Sequence, residues 1–158
     1  MTLRRAALED MSALATLFRH VMRTSLSFLP ELHTPAEDLA FFHDRLFAAN
    51  EMWLAQEAGA IVGFIAFHEG FLDHLHVHPD HQGKGLGQEL LARAKAANAV
   101  LELWTFQENA RARSFYEARG FAAVQFTDGA ANEERRPDVR YRWTAGPVGV
   151  TKDFAPRG

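Results

Sequence analysis

A stretch of twelve residues, from His76 to Gly87, carries two patterns that could do chemistry. It reads HVHPDHQGKGLG. Its first half places three histidines and one aspartate within six residues, and imidazole and carboxylate groups are the ligands that hold a catalytic zinc ion. Its second half has three glycines within five residues, and glycines allow backbone N–H groups to come close to a phosphate. The two halves predict different sites, so the remainder of the chain must decide between them.

The histidine half has the H-x-H-x-D-H pattern of metallo-β-lactamase-like hydrolases. Such sites need further histidine ligands from later segments, and none of the eight histidines of the chain follows His81. His74, His76 and His78 support a second metal hypothesis, since alternate residues of a strand point to one face. Strand histidines more often pack and hydrogen-bond on a half-exposed face. We therefore predict no metal, and keep a zinc-dependent hydrolase or metal-binding module as an alternative.

The glycine half, Gln82 to Gly87, follows a predicted strand and opens a predicted helix. Its backbone N–H groups can therefore converge on an anion at the positive end of that helix. A P-loop is excluded because His78 stands where its first glycine belongs, and a dinucleotide fingerprint is excluded because Gln88 stands where its third glycine belongs. A tight turn without a ligand is the structural alternative.

The elements that position these residues follow from periodicity and from start and stop signals. Asp10 is expected to cap the first helix. Thr34 and Glu37 form a capping box, with Pro35 at the first helical position of the second helix. The patterns predict α+β architecture around one mixed sheet. The predicted helices cover about 10–23 and 34–48, the segment from Gly85 onward, and about 109–119, and the predicted strands cover 2–5, 52–57, 61–68, 71–78, 100–105, 121–126 and 139–143.

Composition narrows the class of protein. With 158 residues, 47% of them hydrophobic, one globular domain is expected. The net charge of -3 comes from basic and acidic residues that are mixed along the chain, which argues against a nucleic-acid partner. No cysteine is present, so disulfides and a thiol nucleophile are excluded. Neither a secretory signal nor a membrane span is visible, and a cytoplasmic protein without a membrane partner is expected.

Two motifs together indicate a family. Gln82, Gly85 and Gly87 form a Q-x-x-G-x-G pattern that resembles the acetyl-CoA loop of the GNAT N-acetyltransferase superfamily. The segment NARARSFYEARGF at 109–121 is similar to the N-x-x-A-x-x-F-Y-x-x-x-G-F helix of that superfamily. The element order agrees with that fold over residues 2–143. The resemblance implies six to seven mostly antiparallel strands splayed between 72–78 and 100–105, about four helices, an N-acetyltransferase domain at 1–144 and a flexible tail at 145–158.

The resemblance also implies the reaction, in which acetyl-CoA is a co-substrate and a primary amine attacks its thioester directly. The acceptor would be a small-molecule or peptide amine, and a homodimer is compatible with the family. Tyr116 is expected to protonate the departing thiolate, and the Val77 amide to bind the carbonyl oxygen. The residues expected to bind the coenzyme are Leu75, His76, Val77, Gln82, Gly83, Lys84, Gly85, Leu86, Gly87, Gln88, Asn109, Ala112 and Tyr116.

The sequence departs from the family pattern at the position of the general base. Some family members carry a glutamate at the position where this chain has Phe71, which cannot accept a proton. Asp73 lies two residues later, on the same face of an ideal strand, and can act directly or through water. His74 and His76 are expected on the other face. An ordered water, or an amine that is already neutral, remains an alternative to Asp73.

Two segments are expected to shape the acceptor site, TSLSFLPELH at 24–33 and TDGAANEERRPD at 127–138. Acidic groups in the second would favour a cationic amine, although such charge runs are more often solvated loops. A non-catalytic acyl-CoA-binding or sensing domain on the same fold remains an alternative function, because it needs the phosphate loop but neither acid nor base.

Overall fold

The computed structural model describes residues 1–146, so the predicted flexible tail at 145–158 lies outside the described residues except for its first two. The predicted order of strands and helices is confirmed. The strands are β1 Thr2–Arg5, β2 Glu51–Glu57, β3 Ala60–His68, β4 Phe71–Val77, β5 Val100–Phe106, β6 Ala122–Thr127 and β7 Asp138–Thr144. The helices are α1 Met11–Ser25, α2 at 35–49 with a π-helical middle at Phe42–Leu46, α3 Leu86–Ala97 and α4 Ala110–Glu117. No helix in the described part of the chain is long and apolar enough to cross a membrane.

All seven strands form one sheet in the order β1-β2-β3-β4-β5-β7-β6. Neighbouring strands are antiparallel except β4 and β5, which are parallel. This parallel pair is joined at one register position, Phe71 opposite Glu102, with a bond of 2.9 Å from the Glu102 N–H to the Gly70 carbonyl. Beyond this point the two strands separate, which gives the predicted mixed and splayed sheet.

Each face of the sheet carries its own hydrophobic core. On one face, α3 and α4 cover a core that includes Leu90, Leu101 and Tyr141, all fully buried. On the other face, α1 and α2 cover a core that includes Met11 and Phe64, also fully buried. Each such side chain stabilises the fold by about 1.5–3 kcal/mol through removal from water. These two faces are called the α3/α4 face and the α1/α2 face below.

The two predicted helix starts have different outcomes. The capping box of α2 is confirmed, since the Glu37 N–H donates to Thr34 Oγ1 at 3.1 Å and the Thr34 N–H donates to Glu37 Oε1 at 2.8 Å. The prediction that the Asp10 side chain caps α1 is wrong. Its carboxylate instead accepts from the Ala7 N–H at 2.7 Å and from the Arg4 guanidinium at 2.9 Å. A turn of 3-10 helix at Leu8–Asp10 precedes α1. The Asp10 carboxylate therefore binds the Ala7 amide at the start of this turn and not an amide at the start of α1.

Candidate active site

A cavity of about 710 Å³ opens where β4 and β5 separate. Side chains of α1 and of α4 both line it, and these helices lie on opposite faces of the sheet. The cavity therefore passes through the gap between β4 and β5. Of the residues predicted for coenzyme binding and catalysis, Lys84 alone does not line this cavity. Those that line it are Asp73, Leu75, His76, Val77, Gln82, Gly83, Gly85, Leu86, Gly87, Gln88, Asn109, Ala112 and Tyr116.

The glycine-rich loop ends on the N-terminus of α3. Gly83 and Gly85 have φ angles of 81° and 83°, the left-handed region that favours glycine. The Glu89 N–H donates to the Gly85 carbonyl at 3.1 Å, so the three preceding amides have no partner within the helix. A Cβ atom at Gly87 would lie 3.3 Å from the Phe115 ring. The loop thus presents free amides and a positive helix end to the cavity, an arrangement suited to a phosphate.

The end of β4 presents backbone groups to the gap. The His78 N–H donates to the Val62 carbonyl at 2.8 Å and so points toward β3. Because successive amides of a strand point to opposite sides, the amides of Val77 and Leu75 point away from β3, into the gap. The Gln82 side chain donates to the Val77 carbonyl at 3.1 Å and joins the loop to the strand. An extended ligand could pair with this strand, and the Val77 amide could bind a developing oxyanion.

Tyr116 lies in α4, at the wall of the cavity. It is 7% exposed and packs edge-on against Phe115 and Phe121, with ring centroids 5.2 and 5.3 Å away. Burial raises the pKa of its phenol above the ordinary value of 10, so the hydroxyl remains protonated at neutral pH. The nearby residue Asn109 caps α4, since its side chain accepts from the Ala112 N–H at 3.1 Å. A protonated phenol in this position can donate a proton to a ligand in the cavity.

A β-bulge in β4 determines where Asp73 points. Ala66 pairs with His74, but the next residue of β3 pairs with Leu72, so Asp73 is the extra residue. Leu72 consequently packs on the α3/α4 face, while His74 contacts the aromatic core of the α1/α2 face. The prediction that Asp73 faces away from His74 and His76 is wrong. Asp73 lies 3.4 Å from Nδ1 of His68, on the α1/α2 face, and lines the cavity.

His74 and His76 form a half-buried pair at the wall of the cavity. The distance from His74 Nδ1 to His76 Nε2 is 3.1 Å, and both rings lie 5.3 Å from the ring of Phe18 on α1. Burial lowers the pKa of His74 to about 4, against a smaller opposing effect of the Asp73 charge. Burial, together with His74, lowers the pKa of His76 to about 3. Both imidazoles are therefore neutral at pH 7.

The third histidine of this strand pattern lies apart from the pair. His78 stacks on His20 of α1 with ring centroids 4.9 Å apart, and its Nδ1 accepts from the Asp80 N–H. His81, farther along, contacts Glu57 at 2.7 Å. Within residues 1–146, no group of three or more histidine, aspartate and glutamate side chains is placed to hold a metal ion.

The two segments expected to shape the acceptor site contact each other. His33 Nε2 lies 2.9 Å from Glu133 Oε2, and this carboxylate raises the pKa of His33. The Arg136 guanidinium lies 5.4 Å from the ring centroid of Phe28. Glu134, next to Glu133, lines the cavity. These contacts connect the chain after α1 with the β6–β7 loop at the α1/α2 side of the cavity.

Sequence reasoning missed two lining stripes. Phe18, Met22 and Leu26 line the cavity from α1 and the residue that follows it. Arg111, Phe115 and Arg119 line it from α4 and its C-terminal end, and the Arg119 guanidinium lies 3.9 Å from the Phe115 ring centroid. Each stripe has the spacing i, i+4, i+8 of one helix face. That spacing is visible in the sequence, but it does not show whether the face meets a core or a cavity.

Comparisons with known proteins agree with this geometry. Residues 48–123 match the acetyltransferase (GNAT) domain family. The chain is 32% identical over 103 residues to the L-amino acid N-acyltransferase MnaT of Escherichia coli K12, across 59% of this chain and 60% of MnaT. It is 33% identical over 82 residues to the peptidyl-lysine N-acetyltransferase YiaC of the same strain, across 51% of this chain and 56% of YiaC. The chain is therefore similar to GNAT acetyltransferases over the segment that holds the glycine-rich loop and α4.

Solved GNAT structures share the fold over nearly the whole chain. The yncA protein of Salmonella typhimurium, solved with its cofactor acetyl-CoA, superposes with a TM-score of 0.70 at 20% identity. The superposition covers 98% of this chain and 99% of that protein. By contrast, the matched segments span less than two thirds of the length of MnaT and of YiaC. The GNAT fold is thus shared more widely than the sequence.

Proposed function

We propose that this protein is a GNAT-family, acetyl-CoA-dependent N-acetyltransferase that transfers the acetyl group to a primary amine by direct attack. The observation that carries the proposal is the cavity through the sheet. It has a glycine-rich loop with free amides on the α3/α4 side, free strand amides in the gap and carboxylates on the α1/α2 side. A thioester held in the gap would be accessible to an amine from the opposite face.

Backbone amides of two segments bind the coenzyme. The amides from Gly83 to Gln88 bind the pyrophosphate of acetyl-CoA, and the amides of Leu75 and Val77 pair with its extended arm. The structure of yncA with its cofactor acetyl-CoA supports this choice of co-substrate. Lys84, which is exposed, would act only through long-range charge. No metal takes part in these steps.

The proton transfers need two groups. Asp73 takes a proton from the bound ammonium, directly or through water, and leaves a neutral amine. The amine nitrogen attacks the thioester carbon while the Val77 amide binds the carbonyl oxygen. The C–N bond forms and the C–S bond breaks as the thiolate takes the proton of the Tyr116 hydroxyl. The amide nitrogen then loses its extra proton and the Tyr116 phenolate regains one, directly or through solvent, while Asp73 releases its proton to solvent. The products are the acetamide, CoA in its thiol form and one proton.

Two measurements test the function. CoA is expected to raise the melting temperature, because a ligand of the native state stabilises it by mass action, by about 2.7 kcal/mol at 100 times its Kd. Release of free thiol from acetyl-CoA is then measured with a panel of amines. CoA binding without transfer to any amine would favour the alternative of a non-catalytic acyl-CoA sensor. Absence of any thermal shift would contradict both functions.

The family resemblance also leads us to propose a homodimer. Light scattering coupled to size-exclusion chromatography measures the mass directly, against the 17.7 kDa of one chain.

A further inference from the structure

The half of the cavity on the α1/α2 face combines apolar and acidic side chains. Phe18, Met22 and Leu26 supply an apolar wall from α1, and Phe106 of β5 adds an aromatic ring. Asp73 and Glu134 supply carboxylates, and Glu134 has no hydrogen bond or ion pair within residues 1–146. This half is therefore suited to a group that has one positive charge and an apolar substituent.

The basic side chains of the cavity lie elsewhere. Among the residues described, arginine and lysine contribute two side chains to its lining, Arg111 and Arg119, both from α4 and its C-terminal end on the α3/α4 face. Arg119 donates to the Phe115 carbonyl at 3.0 Å and to the Gln88 side chain at 3.3 Å. Both arginines thus belong to the side of the sheet that carries the glycine-rich loop.

Two arginines near the α1/α2 side, Arg136 and Arg140, contact acidic partners. Arg136 makes a two-pronged contact with Glu108, at 2.9 and 2.6 Å. Arg140 donates to Glu102 at 2.7 Å. Among the described residues, no arginine or lysine side chain lines the cavity on this face, so a carboxylate that entered with the acceptor would meet Asp73 and Glu134 there. Such contacts between like charges are strongly unfavourable.

We infer that the acceptor is a primary amine with an apolar substituent and no free carboxylate, such as an aralkyl amine or an amino group of a carboxyl-blocked or peptide-linked residue. The inference rests on the proposed N-acetyltransferase function and narrows its substrate class. The ammonium binds beside Asp73 and Glu134, and its substituent packs on Phe18 and Met22. This substrate class would distinguish the chain from MnaT, whose acceptor is an L-amino acid.

Three amines with the same phenyl group provide the test: phenethylamine, L-phenylalaninamide and L-phenylalanine. The values of kcat/KM for acetyl transfer are compared after correction for the fraction of each amine that is protonated at the assay pH, because the ammonium is the form that binds beside the carboxylates. Phenethylamine and L-phenylalaninamide are expected to exceed L-phenylalanine by about tenfold or more, because one uncompensated charge contact of about 1.4 kcal/mol already gives a factor of ten.

A variant and a matched control locate the effect. Glu134→Gln is expected to reduce the preference for L-phenylalaninamide over L-phenylalanine several-fold, because it removes one repulsive carboxylate from the cavity. Glu133→Gln removes the same charge from the adjacent residue, which contacts His33 and does not line the cavity. Its preference ratio is expected to equal that of the wild type, even if its absolute rates change.

The outcomes separate the inference from the function. Equal or faster transfer to L-phenylalanine would overturn the substrate class and leave the N-acetyltransferase function in place. A preference that survives in Glu134→Gln and falls in Glu133→Gln would also overturn it. Failure to acetylate phenethylamine and L-phenylalaninamide would overturn the substrate class, and the thermal shift with CoA would then show independently whether the coenzyme site stands.

Discussion

At the scale of single residues, the two buried tyrosines have different surroundings and different expected roles. The Tyr116 side chain lines the cavity, whereas the Tyr141 hydroxyl accepts from Arg113 Nε at 3.0 Å and donates to Glu117. Both have a pKa raised by burial, but Tyr116 alone is placed to protonate a ligand. The chain has no further tyrosine, so each serves as the control for the other.

Tyr116→Phe is expected to lower kcat about 100-fold with little change in the KM for acetyl-CoA, since general acids contribute at least about this factor. Tyr141→Phe should keep its activity but lose about 1–3 kcal/mol of unfolding free energy, because it leaves charged partners without their hydrogen bond. Steady-state kinetics and urea denaturation measure the two effects. Full activity of Tyr116→Phe across the pH range would remove this residue from the mechanism.

The half-buried pair His74 and His76 makes stability depend on pH. Their pKa values are lowered to about 4 and about 3 in the folded protein, against 6.5 for an ordinary histidine. Between pH 6.5 and 4 the unfolded chain therefore binds more protons, and the folded state loses stability as pH falls. The two groups together should account for a loss on the order of 2–4 kcal/mol between pH 7 and pH 5.

Urea denaturation at several pH values measures this loss. His76→Asn should make the unfolding free energy less steep over this range, while His43→Asn, which changes an exposed side chain, should leave the slope as it is. An unchanged slope in His76→Asn would show that carboxylates alone cause the acid sensitivity.

At the scale of elements, the glycine-rich loop and the β2–β3 hairpin contain glycines in nearly identical conformations. Gly85 has φ 83° and Gly59 has φ 81°, and at both a Cβ atom would have nothing within 4 Å. Gly85→Ala and Gly59→Ala should therefore each cost about 1–2 kcal/mol of unfolding free energy. Of the two variants, only Gly85→Ala should weaken CoA binding, because a changed backbone conformation at this residue would reorient the free amides at the start of α3. Equal CoA affinity in both variants, measured by calorimetry, would contradict the phosphate role of this loop.

Local sequence signals predicted the elements well, but they failed where an element is irregular. The capping box at Thr34 and the hairpin at Ala58 and Gly59 are short-range features, which residue types alone specify. The bulge at Asp73 depends on how β3 pairs with β4, so an ideal alternation placed this side chain on the wrong face. The sequence predicted that the acidic segment at 127–138 shapes the acceptor site, but it did not single out Glu134. Which of Glu133 and Glu134 lines the cavity depends on the folded conformation of the β6–β7 loop.

At the scale of the whole molecule, the sheet consists of two halves that β4 and β5 join at one register position. The amides of Leu75 and Val77 face the gap, while that of His78 is bonded to β3. Hydrogen exchange should therefore alternate along β4, fast at Leu75 and Val77 and slow at His76 and His78. Bound CoA should slow hydrogen exchange at Leu75 and Val77, because it would hydrogen-bond to these two amides. Protection of all four amides without CoA would contradict the open gap.

The cavity that passes through the sheet has a consequence for the order of events in turnover. Acetyl-CoA and the amine would approach from opposite sides, so neither has to leave before the other enters. Both substrates can be bound at once, and initial-rate plots at several fixed amine concentrations should give intersecting lines. Parallel lines would instead require an acetylated enzyme intermediate. For the same reason, CoA could exchange on the α3/α4 side even while a bulky amide product leaves slowly on the α1/α2 side.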